Sequence, residues 1–187
     1  MLHSSSVPEL RQRFSVEEQT ALGEVVPGLE RFLAESLAYG LLEACGIDAP
    51  PVPVRAMVRD PHPVFERLSL LELNLGLYDA AYRSLLNGSR LIAVDLDCPP
   101  AVQRAALARE LYVAFCRSQR SVELDWPGRE NPRDHSRYFA RCLLMPAAWV
   151  KQLRERCGSI REMAVFFDVS VQMMASRLRE LGLEYSA

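Results

Sequence analysis

Histidine and lysine are scarce in this 187-residue chain and paired cysteines are lacking, and each lack narrows the chemistry open to it. The histidines are His3, His62 and His135, and no pair of them has the spacing of metal ligands. Lys151 is the single lysine, so the positive charge is almost all arginine. The five cysteines (Cys45, Cys98, Cys116, Cys142, Cys157) form no C-x-x-C pair, and their odd number argues for reduced thiols rather than a disulfide framework. No apolar run approaches the roughly 18 residues that span a bilayer. The opening MLHSSSVPELRQRF lacks the apolar stretch of a leader, so the expected location is the cytoplasm. A net charge of -2 gives no overall field to gather nucleic acid or an anionic membrane. No G-x-S-x-G, P-loop or dinucleotide fingerprint is present.

What remains is ordinary globular composition, 49% hydrophobic and 25% charged. Residues 1–26 are polar and mixed, with a short helix that Ser15 can cap, and are expected to form an arm or a helix laid on the body. Pro27 to Cys45 reads as an amphipathic helix with a stripe through Leu29, Phe32, Leu33, Leu37, Leu41 and Leu42, stopped by Gly46. A proline-rich link and a short helix, Val54 to Arg59, lead to one or two strands between Val64 and Leu77. A hairpin follows: Ala81 to Leu86, a turn at Asn87-Gly88-Ser89, then Arg90 to Leu96. After Pro99-Pro100 the pattern is helical to the end. Helices are expected over Pro100–Arg117, Pro132–Met145 and Pro146–Arg156, then Ile160–Phe167 capped by Ser159 and a last one capped by Ser170 and ended by Gly182. The fold class is α+β: a helix-rich body, a sheet of about three strands, and a helix-turn-helix-like C-terminal segment.

Four ordered stretches carry a family resemblance. Ile47–Val54 (IDAPPVPV) and Leu91–Asp95 (LIAVD) flank the strand region, Phe139–Pro146 reads FARCLLMP, and Phe167–Leu183 reads FDVSVQMMASRLRELGL. In that order they resemble the ImmA/IrrE family of zincin-like bacterial metallopeptidases. The resemblance implies one domain over residues 27–146, with 147–187 as its C-terminal helical part. It also implies a zinc protease that cleaves helix-turn-helix repressors through H-E-x-x-H. Two histidines one helical turn apart grip the metal, and the glutamate takes a proton from metal-bound water.

Here the corresponding stretch is Leu107-Ala108-Arg109-Glu110-Leu111-Tyr112-Val113. Arg109 and Val113 stand where the histidines belong, Glu110 is the remnant of the general base, and the third-ligand position falls at His135. Arginine keeps its proton and valine has no donor atom. The resemblance therefore implies a domain that has lost zinc, with no other cofactor expected. Arg109 can replace the lost cation by pairing with a carboxylate, Glu110 or Asp134, or it can be a solvated helix residue alongside Glu110. Tyr112 is expected to fill the former substrate approach.

Cysteine nucleophiles are disfavoured, since Cys142 lies two turns past His135, about 10 Å along a helix. The C-terminal helices suggest a DNA reader, with Gln172, Ser176, Arg177, Arg179 and Glu180 on the second helix. Its apolar stripe and the chain's acidic balance argue instead that the segment packs onto the domain. The favoured reading is a catalytically inactive, protein-binding or regulatory module. Its expected partner is a helix-turn-helix regulator or another subunit of a complex, with no membrane role. An active peptidase with an unconventional metal site and a DNA-binding regulator stand as alternatives.

Overall fold

The computed structural model describes residues 28–184, so the expected arm and its Ser15 helix lie outside the described residues. Helix α1, Leu29–Ala44, buries Ala34, Ala38, Leu41 and Leu42. The expected stripe is shifted: Phe32 is 65% exposed, and the alanines, which let a neighbouring helix approach closely, form the inner face. Gly46, at φ 64°, turns the chain out of the helix, and Ile47 N–H donates back to the Leu42 carbonyl at 2.9 Å. Helix α2 covers Val54–Arg59, as its sequence suggests.

The strand region holds one strand before the hairpin, β1 (Leu68–Leu73), introduced by a 3-10 turn at Pro63–Phe65. The hairpin forms β2 (Ala80–Ser84) and β3 (Arg90–Asp95). The order is β1-β3-β2, with β1 parallel and β2 antiparallel to the central strand. That centre explains the continuous apolar run of β3, whose Ile92, Ala93 and Val94 are buried. Gly88 N–H donates to Leu85 O at 3.0 Å and Leu85 N–H to Ser89 O at 2.8 Å. Gly88 alone takes a positive φ, 78°, which fits a wider loop with one left-handed residue.

Helix α3, Pro100–Cys116, is the axis of the domain. From Ala106 on, it is buried on almost every side, as expected of a helix without a polar face. It packs on β2, β3 and α2, and most extensively on α5. The connector after it holds a short helix, α4 (Gln119–Glu123), which Ser118 caps by accepting Ser121 N–H at 3.1 Å. A 3-10 turn at Pro127–Arg129 then leads to α5, Pro132–Leu144. Trp126 in this connector meets Phe115 edge-on at 5.0 Å and so covers the core.

Helices α6 (Ala147–Arg154), α7 (Ile160–Phe167) and α8 (Val171–Leu181) complete the chain. Ser159 and Ser170 cap α7 and α8 as expected, and Gly182 ends α8 at φ 65°. Asp168 makes the sharp turn between them in a left-handed conformation. One expectation here is overturned: Arg177 is not on a free face but 1% exposed. It donates to the Met145 carbonyl at 3.0 Å and reaches Glu35 of α1 and Glu180 of its own helix at 3.4 and 3.5 Å. A buried guanidinium is tolerable only with such partners, and this set ties α8 to α1 and to the end of α5. The architecture is α+β, a small mixed sheet on a helical body.

Candidate functional site

Beside β2 the middle of α3 and the first half of α5 open into a cleft of about 610 Å³. Leu77, Tyr78, Asp79 and Arg83 form the strand side, and Arg109 and Glu110 of α3 lie beneath. Arg133, Asp134, Ser136 and Arg137 form the α5 side.

Glu110 is fully buried. Its Oε2 accepts the backbone N–H of Tyr82 at 3.0 Å, and its Oε1 accepts a hydrogen bond from the Arg133 guanidinium. Tyr82 lies on an edge strand, and its N–H turns away from β3 toward α3. The carboxylate thus satisfies a backbone donor that would otherwise be orphaned. Both of its oxygens are engaged, one by the sheet and one by α5.

Arg109 pairs with neither carboxylate proposed from the sequence. Its Nη2 lies 3.0 Å from Asp79 Oδ2, on the crossover into β2. Asp79 is held there by the end of β3. Asp95 Oδ1 accepts the Leu75 N–H at 3.0 Å, which fixes the crossover, and that bond draws the Asp95 carboxyl below its ordinary range. The Cys98 thiol bridges toward both aspartates, at 3.5 Å from Asp95 Oδ2 and 3.8 Å from Asp79 Oδ1.

Of the remaining positions read from the sequence, Val113 sits one turn past Arg109 and is buried in the core. His135 belongs to α5 but lies outside the cleft lining, with Nε2 2.5 Å from Glu30 Oε2 of α1. Arg109 and Glu110 therefore share the cleft, while Val113 and His135 do not line it. Tyr112 does not fill the substrate approach. Its ring stacks at 5.1 Å on Phe139 inside the core, and the Glu110 cleft stays open. The Tyr112 hydroxyl lies only 2.5 Å from where a Cβ on residue 128 would stand, which is why glycine occupies Gly128.

The donor chemistry of these residues does not fit a catalytic zinc. At the positions where the resemblance implies ligands stand a guanidinium, an isopropyl group and a histidine that pairs with Glu30 of α1, and the glutamate has its oxygens engaged. Among the described residues, no group of three or more His, Cys, Asp or Glu side chains is arranged to hold a metal ion.

Sequence reasoning missed Asp79, Tyr82 and Arg133. Asp79 and Tyr82 come from a crossover and an edge strand that carry no spacing signal. Arg133 stood two residues before the position singled out on the same helix.

No described helix is long and apolar enough to cross a membrane. A comparison with curated proteins finds no match. Among solved structures, a Mycobacterium tuberculosis transcriptional regulator has a similar fold. The TM-score is 0.53 at 17% identity, over 80% of this chain and 46% of the regulator's length. The family model described as the IrrE N-terminal-like domain (Peptidase_M78) matches residues 67–179, from β1 to the end of α8. With that match spanning more than half of its length, the chain belongs to the IrrE N-terminal-like peptidase family.

Proposed function

We propose that this chain is a peptidase-like scaffold that does not hydrolyse peptide bonds and acts by binding another protein in a regulatory role. The supporting observation is the state of Glu110. A general base needs a carboxylate oxygen free to take a proton from water, within hydrogen-bond reach of it. Here one oxygen accepts from Tyr82 N–H and the other from Arg133. Arg109, where the family resemblance places a zinc ligand, carries a positive charge committed to Asp79. The fold shared with a transcriptional regulator is in keeping with a regulatory partner. A DNA-reading role for α8 loses support from the burial of Arg177 beneath that helix.

The test is hydrolysis of an unfolded protein substrate by the full chain, with and without added zinc, beside the variant Glu110→Gln. No turnover by either protein is expected. Zinc-dependent cleavage that disappears in Glu110→Gln would overturn the reading and establish an active peptidase with an unconventional site.

A further inference from the structure

The cleft beside Glu110 carries positive charge that no internal carboxylate consumes. Asp79 is taken by Arg109 and Glu110 by Arg133. Arg83 on β2 reaches only the carbonyl of Tyr82, and Arg137 on α5 makes no ion pair or hydrogen bond among the described residues. Both are exposed, and they stand on the two sides of the cleft with α3 between them. Asp134 is the one acidic group in the lining outside those pairs. A second cavity of about 430 Å³, between α3, α5 and α8, shares Arg109 and Arg137 with the first. The two adjoin across those arginines and are taken together as a groove, whose far end mixes Ser170, Gln172 and Ser176 with Val102 and Met173.

We propose that this groove binds an extended acidic segment of a protein, with its carboxylates held by Arg83 and Arg137. The proposal rests on the protein-binding reading above and names the chemistry of the partner. Guanidinium groups bind carboxylates through paired, charge-assisted hydrogen bonds, so two unspent arginines across a groove select spaced acidic side chains. Pairing of a partner strand with β2 is hindered at mid-strand, because Glu110 already occupies the outward N–H of Tyr82. Recognition then falls to side chains. The exposed Leu77 and Tyr78 at the cleft offer apolar contacts between the acidic ones. Nucleic acid fits less well, since a continuous run of phosphates would meet Asp134 in the lining.

The test is fluorescence anisotropy with a short labelled peptide that alternates Glu with Leu and Ser, and with its Gln counterpart. The full chain is compared with Arg83→Glu/Arg137→Glu. A control, Arg156→Glu/Arg161→Glu, changes net charge equally at exposed positions away from the groove. The Glu peptide is expected to bind, and the Gln peptide about tenfold or more weaker. The groove variant should lose about tenfold or more in affinity for the Glu peptide while the control keeps it. Thermal melting reports whether each variant is folded. Absence of Glu-peptide binding, equal binding of the Gln peptide, or equal loss in the control overturns the proposal. So does a single-stranded DNA oligonucleotide that binds more tightly than the Glu peptide. These outcomes are distinct from the hydrolysis result: a non-hydrolysing protein that ignores the Glu peptide removes only this inference, and zinc-dependent turnover removes the parent reading.

Discussion

Glu110 Oε2 sits 3.0 Å from the backbone nitrogen of Tyr82, so the side chain at the general-base position of α3 completes the hydrogen bonding of the sheet edge. Removing that acceptor leaves a buried N–H with no partner, which costs about 2 kcal/mol, with the lost contact to Arg133 added to it. Glu110→Ala is expected to unfold at lower urea concentration by about that amount. Glu110→Gln, which keeps an acceptor for Tyr82, should recover part of the loss. Equal midpoints for wild type and Glu110→Ala would show that the contact carries no stability.

The Tyr112 hydroxyl and Gly128 supply a second test, in the core. A methyl group at residue 128 would lie 2.5 Å from that oxygen, and overpacking of this kind costs about 1–3 kcal/mol. Gly128→Ala is expected to lower the melting temperature. Tyr112→Phe removes the clashing oxygen, so the double variant should be more stable than Gly128→Ala alone. Additive losses in the double variant would place the cost elsewhere than in this contact.

The buried junction around Arg177 makes a prediction about acid. Burial alone pushes the Glu35 carboxyl up. Hydrogen bonds from Tyr39, the nearby charge of Arg177 and a hydrogen bond from Tyr138 together carry it below its ordinary value of 4.5. A carboxylate lowered in the folded state contributes stability above its unfolded value, and that contribution fades as pH falls through the folded one. Glu35→Gln should therefore be less stable than wild type at neutral pH, with the gap closing below about pH 4.5. A gap that stays constant from neutral pH into acid, measured by urea melts, would contradict the role given to Glu35.

The thiols separate by burial. Burial pushes the Cys116 thiol up to about 12 and the Cys142 thiol up to about 11, so neither supplies thiolate at neutral pH. Cys45 is exposed at the end of α1. Labelling of the native protein with a maleimide is expected to modify Cys45 while Cys116 and Cys142 stay unmodified until denaturant is added. Rapid native labelling of either buried thiol, read by peptide mass spectrometry, would contradict this packing.

Much of the helical body was legible in the sequence because its boundaries are chemical. Ser159, Ser170 and Gly182 stand at the ends of α7 and α8 as caps, and prolines open α3 and α5. The hairpin was legible in place but not in turn type, since Asn-Gly permits more than one loop and the strand register decides among them. The pairing of β1 with β3 is a long-range choice that no local pattern encodes. At the cleft, the residue types on α3 could be read, but not their partners. Arg109 chose Asp79 and Glu110 chose Arg133 because the crossover and α5 bring those groups close. Arg177 was misplaced for a similar reason: a helix pattern shows an arginine beside an apolar stripe but not the Glu35 carboxylate of α1 that draws it inside.

On the proposed reading, the α3–α5 cleft does not retain the zinc that the family resemblance implies. The most direct test is the metal content of untagged full-length protein, purified without chelator, incubated with equimolar zinc, desalted and measured by mass spectrometry. Well under one zinc per chain and no zinc-induced rise in melting temperature are expected. One zinc retained per chain, with a matching thermal shift, would contradict that reading.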